Sequence, residues 1–157
     1  VVTAAAKANI ERLVQTGIDQ GAKLVVDGRD FKLQGYEDGF FVGPHLFDKV
    51  TPDMDIYRKE IFGPVLTVIA HDGDDDAVRI ANDSPYGLSG AVYSADTERA
   101  WAVASAVRTG TMSINGGIWY GGDVPFGGYK ASGMGREMGV AGFEEYLETK
   151  SIAEAVQ

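Results

Sequence analysis

Few side chains in this sequence are of the types that carry covalent chemistry. Cysteine is absent, which excludes a thiolate nucleophile, a disulfide and a zinc–thiolate site within these residues. His45 and His71 are the only imidazoles and no HExxH spacing exists, so both are expected to be structural and no metal site is expected. The nearest approach to a serine-nucleophile elbow, Gly87-Leu88-Ser89-Gly90, is one residue short of G-x-S-x-G. Asp72, Asp74, Asp75 and Asp76 could be read as a cation site. A solvated helix start explains them better, because the helix dipole favours negative charge there. Phosphate cradles fare no better. His71-Asp72-Gly73-Asp74 is anionic and repels a pyrophosphate. Gly133, Gly135 and Gly139 lack a strand directly before them, and Gly127-Gly128-Tyr129-Lys130 has tyrosine where a P-loop needs glycine. The expectation is that this chain neither grips a dinucleotide's phosphates nor runs a complete reaction by itself.

Composition narrows the partners. With 14 Lys+Arg against 23 Asp+Glu, the formal net charge is −9. Such a surface repels phosphate backbones and anionic bilayers, so neither nucleic acid nor membrane is expected as a partner. No apolar run approaches the ~20 residues of a membrane span, and Val1 to Lys7 lack the basic-then-apolar layout of a secretion signal. A cytoplasmic location is the corresponding expectation. Apolar residues at 45% and charged residues at 24% are the balance of a folded globular domain. Residues 1–157 are therefore read as a single α/β domain.

The elements follow from local pattern. Thr3 is placed to cap a helix with Ile10, Leu13, Val14 and Ile18 at helical spacing, stopped by Gly21. Lys23 to Asp27 reads as a short strand, Phe40 to Val42 as another extended segment, and Met54 to Lys59 as helical turn or loop. Val65 to Ala70, a helix from Asp74 to Ala81, Leu88 to Tyr93, a helix capped by Asp96 and Thr111 to Asn115 then alternate. The capped helix should bury Ala100, Trp101, Val103, Ala104 and Val107. This alternation predicts a mostly parallel sheet with flanking helices. From Gly110 to Gly142 there are 11 glycines in 33 residues, interleaved with aromatics. Such a stretch is backbone that must pass close to something else. A last helix is expected over Val140 to Leu147, and residues 151–156 form a terminal strand open to pairing across an interface.

Two segments then stand out. Lys59-Glu60-Ile61-Phe62-Gly63-Pro64 and Pro125-Phe126-Gly127-Gly128-Tyr129-Lys130-Ala131-Ser132-Gly133-Met134-Gly135-Arg136-Glu137 resemble signatures of the NAD(P)-dependent aldehyde dehydrogenase superfamily. Asn82-Asp83-Ser84-Pro85-Tyr86-Gly87-Leu88 and Gly110-Thr111-Met112-Ser113-Ile114-Asn115 match between them, in the family's order. The resemblance covers essentially the whole chain and corresponds to about the last third of a family member, the C-terminal part of its catalytic domain.

What the resemblance implies is specific. Glu60 matches the glutamate that accepts hydrogen bonds from the nicotinamide ribose hydroxyls, and Phe62 the phenylalanine that packs beside the nicotinamide. A carboxylate can accept from two vicinal hydroxyls, and an aromatic ring restrains a flat ring without reacting with it. The competing readings are a surface salt bridge for Glu60 and a core side chain for Phe62. Phe126 matches the aromatic that lines the aldehyde tunnel, and Ile118, Trp119 and Tyr120 fall where relatives vary that wall; core packing is the competing reading for all four. Aromatic walls imply an apolar or aromatic aldehyde rather than a charged one. Asp27-Gly28-Arg29 with Gly35-Tyr36-Glu37 and Phe41-Val42-Gly43-Pro44 is similar to the methylmalonate-semialdehyde branch, while the P-F-G-G-Y-K segment is similar to the broad hydrolytic enzymes and weighs more because it holds the substrate wall.

The family's cysteine nucleophile, oxyanion donors, deacylating glutamate and phosphate-binding half all lie upstream of the matching region. The resemblance therefore implies part of an oxidoreductase that converts an aldehyde to a carboxylic acid with NAD or NADP through a cysteine-bound thiohemiacetal and thioester. The resemblance thus implies no catalytic residue within these 157 residues, and this chain alone is expected to be inactive. It also implies a homodimer or homotetramer joined through residues 151–156, which follow Tyr146-Leu147-Glu148-Thr149-Lys150. The alternative from another class is a non-catalytic α/β module that self-associates or competes for a longer partner's interface.

Overall fold

A computed structural model describes residues 1–117 and 120–155. The chain divides into two compact units, Val1–Ala70 and His71–Gln157.

The first unit is built around α1 (Ala4–Asp19), whose N-terminus is closed by Thr3, its side chain accepting from the Ala6 N–H at 3.0 Å. This satisfies a donor that the first helical turn leaves unpaired. Ile10, Leu13, Val14 and Gly17 form the buried face. They pack on a sheet ordered β1 (Lys23–Val26), β2 (His45–Asp48), β3 (Val65–Thr67), antiparallel between β1 and β2 and parallel between β2 and β3. Phe47, fully buried, sits at the centre with Val50, Met54, Ile56 and Ile61. Gly17 is required by close approach: a Cβ there would fall 2.8 Å from Ile56 Cδ1 and 3.3 Å from the Phe47 ring. The short α2 (Asp55–Arg58) resolves the Met54–Lys59 segment as a helical turn.

The second unit opens with α3 (Gly73–Asn82). Two strands, β4 (Tyr86–Gly87) and β5 (Ser89–Val92), lead to α4 (Thr97–Ala106), then β6 (Thr111–Ile114), β7 (Tyr129–Lys130) and α5 (Gly139–Glu144). β5 and β6 pair in parallel around α4, and β4 pairs antiparallel with β7. Asp96 caps α4 by accepting from the Arg99 N–H at 3.0 Å. Arg99 then reaches back to both carboxylate oxygens of Asp74 at 2.6 Å, tying the start of α3 to α4. Asn115 accepts from the Ser94 N–H and donates to the Ser94 carbonyl, both at 2.9 Å, which closes the outer ends of β5 and β6.

The α/β class is as the pattern predicts, with five corrections. The second strand is His45–Asp48, not Phe40–Val42: Pro44 cannot donate to a ladder, and pairing begins directly after it, where His45 N–H donates to the Pro64 carbonyl at 2.8 Å. β3 belongs to the first unit's sheet, so only β5–α4–β6 realises the predicted parallel crossover within the second unit. Trp101 is 63% exposed and Ala100 and Ala104 carry the buried face of α4, because the small residues allow close approach to β5 and β6. α5 ends at Glu144 rather than at Leu147, and Val140, Phe143, Tyr146 and Leu147 are all exposed. No strand is assigned over residues 151–155, and Val156 lies outside the described residues.

Candidate functional site

In the first unit, the segment after α2 alternates anchored and projecting residues. Ile61 is buried in the core, and Gly63 lies against the Ile10 side chain so closely that a Cβ would come within 2.8 Å of it. Held at these two points, the chain turns Glu60 and Phe62 outward. Phe62 adopts φ 57° and is 81% exposed. A bulky side chain in the left-handed region is held there at a cost of about 1–2 kcal/mol, and such strain concentrates where backbone is shaped for a task. Phe62 is therefore not a core side chain in this unit. Lys59, beside Glu60, is engaged elsewhere: it caps α2 through its N–H to the Asp55 carbonyl and pairs through Nζ with Asp55 Oδ2, both at 2.8 Å. Glu60 makes no ion pair among the described residues. An exposed, unpaired carboxylate two residues from an exposed ring can accept hydrogen bonds from hydroxyls while the ring covers a flat heterocycle.

In the second unit the glycine-rich stretch is a pinned hairpin. Phe126 and Glu137 exchange both backbone hydrogen bonds at 2.7 Å, closing its base. Phe126 is half-buried and stands edge-on to Tyr120, with ring centroids 6.2 Å apart. Arg136 Nη1 donates to the carbonyls of Gly128 at 3.1 Å and Gly135 at 2.6 Å, and its guanidinium lies 5.3 Å from the Tyr129 ring. These contacts combine charge-assisted bonds with a cation–π contact. Beneath the hairpin, Gly110 sits so near the Gly127 carbonyl that no side chain could be added to it. Glycine here serves close backbone packing, as the density of glycines suggests. Phe126, Leu88, Arg136, Glu137, Glu145 and Tyr146 border a cleft of about 400 Å3.

Of the residues expected to form a substrate wall, Phe126 and Tyr120 are in ring contact, while Ile118 and Trp119 lie outside the described residues. Glu60 and Phe62 are brought together in the other unit. Three contributors escaped sequence reading, although they stand inside quoted motifs. Arg136 and Lys130 hold the hairpin, and Ser132 Oγ accepts from the Gly87 N–H at 3.0 Å. The signal available was their charge or hydroxyl inside a run otherwise made of glycine and aromatics.

The remaining ionisable clusters are structural. Asp74 is held below its ordinary carboxylate range by the Arg99 hydrogen bonds, and Asp76 by the Asp72 N–H and then by Arg79. Asp74 and Asp76 of the acidic run are thus engaged at the start of α3. His45 is buried with Nε2 3.6 Å from Asp27 Oδ1 and neither ring nitrogen hydrogen-bonded, while exposed His71 contacts the Gly73 carbonyl through Nδ1 at 3.0 Å. Hydrogen bonds from the Arg29 side chain and backbone lower the Asp27 pKa from 3.8 to about 2. A larger cavity of about 470 Å3 lies between α3, α4 and β5; four alanines and three valines are among its sixteen lining residues, and its Asp74 and Arg99 bind each other.

Known proteins are similar to this chain along nearly its whole length. Residues 1–152 match the aldehyde dehydrogenase family. Betaine aldehyde dehydrogenase of Bacillus subtilis is 42% identical over 152 residues, which are 97% of this chain and 31% of that protein. Among solved structures, a mutant of aldehyde dehydrogenase C from Pseudomonas syringae, complexed with NAD+ and octanal, superposes with a TM-score of 0.89 at 47% identity over 100% of this chain and 33% of that one. A putative methylmalonate-semialdehyde dehydrogenase from Sinorhizobium meliloti, complexed with NAD, does so with a TM-score of 0.89 at 45% identity over 97% and 32%. The chain thus spans about a third of the length of the relatives it matches. With the match running through both units and both signature segments, the chain belongs to the aldehyde dehydrogenase family.

Proposed function

We propose that these residues supply the ribose-binding carboxylate, the nicotinamide-side ring and the substrate wall of an NAD-dependent aldehyde dehydrogenase, one that oxidises an aldehyde to a carboxylic acid. The observation that carries the reading is the pairing of an unpartnered Glu60 with a Phe62 that is 81% exposed at φ 57°. Nothing in the unit's own stability calls for that ring to point outward. Support for NAD comes from relatives complexed with it; the choice between NAD and NADP rests with the phosphate-binding half, outside these residues.

Each side chain has a definable task. Glu60 accepts from the ribose hydroxyls and so fixes the sugar, and through it the ring, in one orientation. Phe62 lies along one side of the nicotinamide and excludes water from it. NAD, when bound, supplies the hydride acceptor. Phe126, braced by Tyr120, gives the aldehyde an apolar wall, which favours aliphatic or aromatic over acidic substrates. The sulfur nucleophile is contributed from outside these residues, so this chain alone oxidises no aldehyde. Residues 151–156 are proposed to complete a sheet with a second subunit in a homodimer or homotetramer; truncating them in the complete protein should reduce its size in light scattering.

Glu60→Gln in the complete protein tests the reading. Replacing a charged acceptor by a neutral one weakens each hydrogen bond by about 1 kcal/mol, so KM for NAD should rise about fivefold or more while the aldehyde KM holds. An unchanged KM for NAD, together with an unchanged kcat, would overturn it. Relative kcat/KM for aliphatic, aromatic and acidic aldehydes tests the wall, and a preference for acidic ones would reverse that part.

A further inference from the structure

We infer that Lys130 is a positioning residue for substrate, setting the place of Phe126 without touching the aldehyde; this rests on the reading of Phe126 as substrate wall. Lys130 Nζ donates to the carbonyls of Asn82 and Ser84, both at 2.9 Å. Asn82 is the last residue of α3, so its carbonyl lies at the negative end of the helix dipole, where a half-buried ammonium is favoured. The lysine backbone is itself in the left-handed region at φ 57°, a conformation that persists only where the surroundings over-determine it.

They do so here. Lys130 pairs with Tyr86 across β4 and β7, Ala131 N–H donates to the Pro85 carbonyl at 2.9 Å, and Ser132 receives the Gly87 N–H. The segment 82–87 is thereby clasped to 129–132, with the ammonium reaching its Asn82–Ser84 end. Asn82 is held in turn, its side chain donating to the Ala106 carbonyl and accepting from the Arg108 N–H. The anchor therefore runs from the C-terminal ends of both α3 and α4 to the hairpin whose base is Phe126. Arg136 fixes the hairpin internally, whereas Lys130 fixes where the hairpin stands on the unit. Removing the cation frees two carbonyls to water and lets the hairpin shift, and displacement of a substrate-contacting group by about 1 Å lowers turnover efficiency by up to about a hundredfold.

The test is a double-mutant cycle on the complete enzyme with Lys130→Met and Phe126→Ala, read as kcat/KM for an aliphatic aldehyde and KM for NAD, per active site. Lys130→Met should lower kcat/KM about tenfold or more, with KM for NAD unchanged. In the Phe126→Ala background the same change should cost less than about twofold, because residues acting through one another are not additive. Full multiplication of the two effects, or an unaltered kcat/KM in Lys130→Met, overturns the inference. If Phe126→Ala alone leaves kcat/KM unchanged for every aldehyde, the substrate-wall reading fails and this inference falls with it. Should Lys130→Met not fold, Lys130→Gln, which keeps an amide donor, enters the same cycle with the same criteria.

Discussion

Replacing Phe62 by glycine separates what the ring does for the fold from what it does for a ligand. In this chain the ring is 81% exposed, so at most about a fifth of the roughly 2–3 kcal/mol from burying a phenylalanine is lost, about 0.5 kcal/mol. Glycine relieves a left-handed cost of about 1–2 kcal/mol and loses about 0.5–1 kcal/mol to the greater freedom of the unfolded chain. The sum lies within about 1 kcal/mol of zero, with the balance toward stabilisation. If the ring covers nicotinamide, its removal from the complete enzyme forfeits a ring contact of about 0.5–1.5 kcal/mol, or about two- to tenfold in NAD affinity. Urea unfolding of the chain measures the first quantity, and fluorescence titration of the complete enzyme with NAD the second. The expected pair is unchanged or improved stability with weaker NAD binding. A loss above about 2 kcal/mol, the size of a buried side chain, would show the ring to be core, and unaltered NAD affinity would show it to be idle in binding.

Other outcomes follow from the packing. Gly110→Ala drives a methyl into the Gly127 carbonyl, where neither backbone can yield, and should destabilise by about 1–3 kcal/mol or more; a urea midpoint equal to that of the parent would refute the contact. Phe47→Ala empties the centre of the first unit's core and should cost about 3–5 kcal/mol, read by the same method. Asp27 has a folded pKa of about 2 against 3.8, a depressed value, so its contribution is complete above pH 3.8 and fades as pH falls toward 2. The stability gap between the parent and Asp27→Asn should therefore close on acidification through that window, modestly because the carboxylate is 40% exposed. A gap that stays constant from pH 5 to 2 would dismiss the Arg29 pairing as its cause.

Much was legible locally. Thr3 and Asp96 were recognisable as caps because a cap needs only one side chain and the next three N–H groups. The helices at Ala4–Asp19 and Thr97–Ala106 follow from periodicity and capping, and the one at Gly73–Asn82 from the acids that open it. Glu60, Phe62 and Phe126 were nameable because their segments carry a family pattern, although nothing in residue order says which of them projects. That Phe62 stands out while Ile61 turns in depends on Ile10, some fifty residues earlier, filling the space beside Gly63. β7 was invisible: two residues inside a glycine run become a strand only because Tyr86 and Gly87 lie opposite. Trp101 read as core from its helical position and is exposed because alanines, not the indole, meet β5 and β6. Lys130 shows the same division, since its charge was plain in the chain but its two carbonyl partners lie 48 and 46 residues away. Order along the chain thus determined caps, periods and chemical types, which act over one or two turns. Pairing, exposure and the direction a side chain faces were decided by contacts between distant segments, which exist only once the chain has folded.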